Sequence, residues 1–91
     1  MDKTLLEKTI NSVILPRYEW INNFIVYLNI VETPTYLENY SITYYVNSGE
    51  IGSPTVIEQM EEAESLTRSS FKMLAPEFNQ ILYDIEFIET T

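Results

Sequence analysis

The sequence predicts an α+β domain of order α-β-β-α-β, a three-stranded mixed sheet with both helices packed on one face. Three observations predict it. Two stretches repeat apolar residues every three or four positions, as amphipathic helices do. Three other stretches alternate and are rich in β-branched and aromatic residues, as strands are. Prolines and a Ser/Gly turn cluster separate them. A length of 91 residues fits one domain, 1–91.

The first helix is expected from Asp2 to Leu15. Leu6, Ile10, Val13 and Ile14 share a face, with Leu5 beside them, and Pro16 ends the helix because the residue before proline avoids helical backbone. The first strand is expected from Asn23 to Glu32, with Phe24, Val26, Leu28 and Ile30 facing the core. A connection with Pro34 follows, from Glu32 to Asn39. The second strand runs from Tyr40 to Asn47, with Tyr40, Ile42, Tyr44 and Val46 inward, and pairs antiparallel with the first. After a turn from Asn47 to Pro54 comes a long helix, Thr55 to Leu74, whose apolar line is Ile57, Met60, Ala63, Thr67, Phe71 and Leu74, with Val56 adjacent. Thr55 and Glu58 have capping-box spacing, and Glu64 with Arg68 is a favourable i, i+4 pair. Ala75-Pro76 breaks this helix, and the last strand is expected from Gln80 to Glu89. The helix between the second and third strands permits a parallel crossover.

Composition narrows the chemistry. The chain has no cysteine and no histidine, which removes disulfides, thiolate sites and the commonest general base and metal ligand. No catalytic role, cofactor or metal is expected. Ser69 and Ser70 have no histidine to activate them. Asp84 and Glu86 share a strand face, but paired carboxylates need a pocket to acquire useful acidities. Fourteen acids against five bases give a formal charge of −9, which disfavours binding to nucleic acid or to an anionic membrane and permits a basic partner. The apolar stretch Phe24 to Val31 is far short of the roughly 20 residues a membrane helix needs. The start of the chain lacks a secretory pattern, so a cytoplasmic location is expected.

Two surfaces are candidates for binding. Glu58, Glu61 and Glu62 share a face of the long helix and suit a basic partner. On the strands, the residues pointing away from the helices are Ile25, Tyr27, Val31, Tyr45, Leu82 and Ile88, interspersed with Asn29, Thr43, Asp84 and Glu86. That set is too apolar for a solvated face and matches an association surface with a polar border. Seven tyrosines suit such a surface. The competing expectation is that the 32–39 connection, with Tyr36 and Leu37, folds over it.

Gly49-Glu50-Ile51-Gly52 resembles the GxxG loop of KH domains, which clamps a nucleic-acid backbone, and the element order is similar to a shortened bacterial KH fold. The likeness implies a single-strand-binding fold, here expected to have lost its usual RNA binding. Two features depart from it: a strand rather than a helix leads into the loop, and Glu50 would repel phosphate. The order of elements also resembles that of tail-terminator-like phage proteins, which implies a ring-forming assembly subunit; that match is one of topology only. The expected function is a small acidic, non-enzymatic module that binds a protein partner or itself. The alternatives are an acidic mimic of nucleic acid that occupies a basic protein site, and a phage assembly subunit.

Overall fold

A computed structural model describes residues 3–32, 36–74 and 82–90. In order they form α1 (Lys3–Thr9), a π-helical turn (Ile10–Ile14), a 3-10 turn (Leu15–Arg17), β1 (Ile21–Glu32), β2 (Tyr36–Val46), α2 (Pro54–Leu74) and β3 (Leu82–Glu89). The sheet order is β1-β2-β3, with β1 antiparallel and β3 parallel to the central β2. The protein is therefore α+β with a mixed sheet. Asp2, Pro34, the Ala75-Pro76 break, and the first residues expected in the last strand, Gln80 and Ile81, lie outside the described residues.

The first helix is not continuous to Leu15. Four residues advance an α-helix by more than one turn, so Leu6, Ile10 and Ile14 would drift out of line. The wider turn, in which the Leu15 N–H reaches the Ile10 carbonyl, takes up that drift, and all three side chains are buried. Pro16 does not stop the chain at Leu15. It sits at the start of the 3-10 turn, where its missing N–H has no partner to lose. On the outer side, Thr9 Oγ1 and Ser12 Oγ donate to the carbonyls of Leu5 and Lys8, each at 2.9 Å.

β1 and β2 span twelve and eleven residues. At about 3.3 Å per residue this hairpin is roughly 40 Å long, which sets the 43 Å axis of a molecule only 23 × 21 Å across. β2 begins at Tyr36, not Tyr40, so Tyr36–Asn39 extend the pairing with β1 instead of folding over the sheet. One irregularity breaks the register. Ile21 pairs with Val46 but Asn23 pairs with Tyr45, so Asn22 is an extra residue on β1. That bulge switches the parity, and Ile21 turns into the core beside the even-numbered Val26.

The core is one cluster. It joins Leu6, Ile10 and Ile14 to Tyr18, Trp20, Tyr40, Ile42, Tyr44, Val46, Val56, Ala63 and Phe71. Three expectations for core residues fail, one of them Leu74, which is 37% exposed at the end of α2. Ile57 is 54% exposed, because the buried line of α2 runs through Val56, Ala63, Thr67 and Phe71, about 100° around the helix from Ile57. Leu28 is 40% exposed although it has core parity; on the same edge strand Val26 is buried, so the core cover ends between them. The start of α2 also differs from the capping-box reading. Pro54 takes the first helical position and the Ser53 carbonyl accepts the Ile57 N–H at 2.9 Å. The Glu64–Arg68 pair forms at 3.2 Å on the exposed side, where such pairs contribute a few tenths of a kcal/mol.

Two buried hydroxyls anchor the helical layer. Thr67 Oγ1 donates to the Ala63 carbonyl at 2.7 Å, so its single proton is used. Tyr44 OH, 2.7 Å from the same oxygen, is therefore the donor to Thr67. Tyr18 OH donates to Glu62 Oε1 at 2.9 Å. Burial pushes both phenols up to about 12, and for Tyr18 the Glu62 carboxylate adds to the effect. Above pH 10 the unfolded chain loses these protons while the folded chain keeps them, so stability falls as pH rises from 10 to about 12. Denaturant midpoints measured across that range should drop steadily. Tyr18→Phe and Tyr44→Phe should each flatten the slope and remove one late-ionising group from a tyrosinate titration.

Candidate protein-interaction face

The side of the sheet away from Tyr44 and Ile42 is built in rows by the strand register. Asn23, Tyr45 and Ile88 form one row, Ile25, Thr43 and Glu86 the next, and Tyr27, Ser41 and Asp84 the third. Asn29, Asn39 and Leu82 follow, and Val31 pairs with Leu37 beyond the start of β3. Four of the predicted interface residues, Ile25, Tyr27, Tyr45 and Ile88, are thus brought together in three adjacent rows. The side chains of Val31 and Leu82 lie outside the described ones.

The face differs from a uniformly apolar patch with a polar border. Below Tyr45 its middle strand presents the polar Thr43, Ser41 and Asn39, and the most exposed large side chains are on the outer strands. Tyr27 on β1 is 55% exposed and Ile88 on β3 is 43% exposed, while Ile25 and Tyr45 are half-buried. Three hydrogen bonds cross between them: Asn29 Nδ2 to Ser41 Oγ at 3.2 Å, Asn39 Nδ2 to Asp84 Oδ2 at 3.2 Å, and Thr43 Oγ1 to Glu86 Oε1 at 3.0 Å. These bonds hold both carboxylates over the strand they neighbour. Beside them lies a shallow depression of about 220 Å³ lined by Ser41, Ile42, Thr43, Asp84, Ile85 and Glu86. Two carboxylates and two hydroxyls around an open hollow can receive a positively charged group.

The acidic helix is less uniform than its sequence. Glu58 and Glu61 are exposed. Glu62 accepts from Tyr18 and lies 3.8 Å from Arg17, so it belongs to the joint between α1 and β1 as well as to the surface. At the Gly49–Gly52 turn, Gly49 has a φ of 84°, and its N–H is bonded by the Glu89 carboxylate. The chain's own anion thus occupies a donor that a KH loop presents to phosphate, and the turn joins a strand to a helix.

Sequence reasoning missed the Glu89 latch and the Asn39 and Ser41 contacts, because all three join residues far apart in the chain. The Tyr44–Thr67 pair left a signal. A threonine on an apolar helix line and a tyrosine on an inward strand face each require a buried partner.

Among the described residues no helix is long and apolar enough to cross a membrane, and no group of three or more acidic, histidine or cysteine side chains could hold a metal ion. Comparison with protein-family models, with curated proteins and with solved structures finds no match.

Proposed function

We propose that this chain is a non-enzymatic interaction module that docks a protein partner on the sheet face formed by Ile25, Tyr27, Tyr45 and Ile88. One observation carries the reading: large side chains on both outer strands, Tyr27 and Ile88, stay exposed on the same face on either side of an acidic hollow. The complementary partner has two apolar contacts straddling a lysine or arginine that enters between Asp84 and Glu86. Apolar anchors with a charged contact between them are what a specific interface of modest size uses. The carboxylates then serve recognition rather than proton transfer, and no cofactor takes part. The formal charge of −9 works against direct nucleic-acid or membrane binding and accords with a cytoplasmic protein that meets basic partners.

The test is affinity capture from the native host with matched variants. Tyr27→Ala and Ile88→Ala should each weaken capture of the partner roughly tenfold or more. Ile57→Ala, on the exposed side of α2, should leave it unchanged. Equal capture by all three variants overturns the reading. A second reading rests on Glu58 and Glu61, exposed one turn apart on α2, with Glu62 beside them: an acidic mimic that fills a basic site. It requires capture that is lost with Glu58→Gln/Glu61→Gln and falls steeply with salt.

A further inference from the structure

We propose that β3 takes an extended segment of a protein partner as a fourth strand, one in which lysine or arginine alternates with apolar residues. This rests on the docking reading and deepens it, because it gives the form in which the basic contact reaches Asp84 and Glu86.

β3 is the last strand of the sheet, and its outer row of backbone N–H and C=O groups faces no other strand among the described residues. Such an edge is a template for an added strand: backbone bonds supply affinity, and alternate side chains supply the choice of partner. The two faces of β3 specify those side chains. On the outer face Asp84 and Glu86 are exposed. Each accepts a bond from β2 on one oxygen, Asp84 Oδ2 from Asn39 and Glu86 Oε1 from Thr43. A carboxylate has a second oxygen, so the inward bond fixes its position and leaves it able to accept again. On the inner face Ile85 and Phe87 are only half-buried, whereas their register partners on β2, Ile42 and Tyr44, are fully buried. The apolar cover of the inner face is thus incomplete at β3.

Charge and shape together select the occupant. An added strand sets its side chains about 5 Å from those of β3. Opposite Asp84 and Glu86 the complementary residues are cationic, and opposite Ile85 and Phe87 they are apolar. Because side chains on a strand have a period of two, one segment meets both demands at alternate positions. A second copy of this chain cannot supply that segment. β1, β2 and β3 hold no lysine or arginine, and pairing β3 with β3 would bring carboxylates together. The same charge turns nucleic acid away from this edge.

NMR titration of the isotope-labelled chain tests this, with a capped peptide of eight residues, the length of β3, in which lysine and valine alternate. Amide signals from Asp84 to Glu89 should shift with saturable binding. In an extended strand the N–H groups of alternate residues point to the same side. Of two peptides, one N-methylated on every lysine and one on every valine, one should therefore lose binding and the other keep it. Asp84→Asn/Glu86→Gln, folded by circular dichroism, should weaken binding roughly threefold to tenfold. Tyr27→Ala, two strands away on β1, should bind the peptide as the native chain does. The proposal is overturned by a lack of saturable binding, by shifts confined to the acidic side of α2 around Glu58 and Glu61, or by equal binding of both N-methylated peptides. Such a failure leaves the docking face standing if Tyr27→Ala and Ile88→Ala still weaken partner capture.

Discussion

Trp20→Ala should destabilise the fold by about 3–5 kcal/mol, the range for deleting a large buried aromatic ring. Trp20 is where four parts of the chain converge. It follows the 3-10 turn and precedes β1. Its ring packs 5.6 Å from Tyr18 and 5.8 Å from Phe87 of β3, and its Nε1 donates to Gln59 Oε1 of α2 at 2.7 Å. Its backbone carbonyl accepts the Asn47 N–H at 2.9 Å, at the end of β2. Truncation opens a cavity at this junction and leaves the Gln59 amide half-buried without its donor. With a typical small-domain stability of about 5–15 kcal/mol, such a loss removes a large share of the total. Urea unfolding followed by far-ultraviolet circular dichroism should show the midpoint lowered by on the order of 2 M. Trp20→Phe should fall between, since it keeps part of the ring contact and loses the hydrogen bond and the rest of the indole. A shift below about 0.5 M for Trp20→Ala would contradict this account of the junction.

Thr67→Val should cost about 1–3 kcal/mol, although it preserves shape, because it leaves the buried Tyr44 hydroxyl with a proton and no acceptor. Tyr44→Phe should cost less. It deletes the donor, and Thr67 keeps its bond to the Ala63 carbonyl. The double variant should be no worse than Thr67→Val alone, because no buried donor is then stranded. The four proteins form a cycle, and thermal or urea unfolding should give a coupling of about 1 kcal/mol or more. Additive costs would mean that the two hydroxyls do not act as a pair.

Much of this architecture is legible in the alternation and periodicity of the chain. The inward set Tyr40, Ile42, Tyr44 and Val46 can be read directly, because side chains on a strand have a period of two and β2 is covered along its inner face by the helical layer. Periodicity becomes ambiguous where neighbouring positions are equally apolar. Val56 and Ile57 both fit the start of α2, and only its packing against the sheet chooses Val56. The parity of Ile21 depends on one bulged residue that pairing with β2 reveals. The outer sheet face was legible as a set of outward residues, Ile25, Tyr27, Tyr45 and Ile88. Its polar seam was not, because Asn39–Asp84 and Thr43–Glu86 are more than forty positions apart in sequence.

The chain's own pattern determined the helical and extended stretches, the inward face of β2, the excess of acid and the lack of thiol and imidazole chemistry, since each depends on residue type and short-range spacing. Tertiary structure decided the rest: which side of α2 is buried, that Tyr36–Asn39 lengthen a strand instead of covering the sheet, and that β1 rather than β3 presents an uncharged edge. Those outcomes depend on which segments meet across the fold, and the energy of burying one face or pairing one edge exists only once they do.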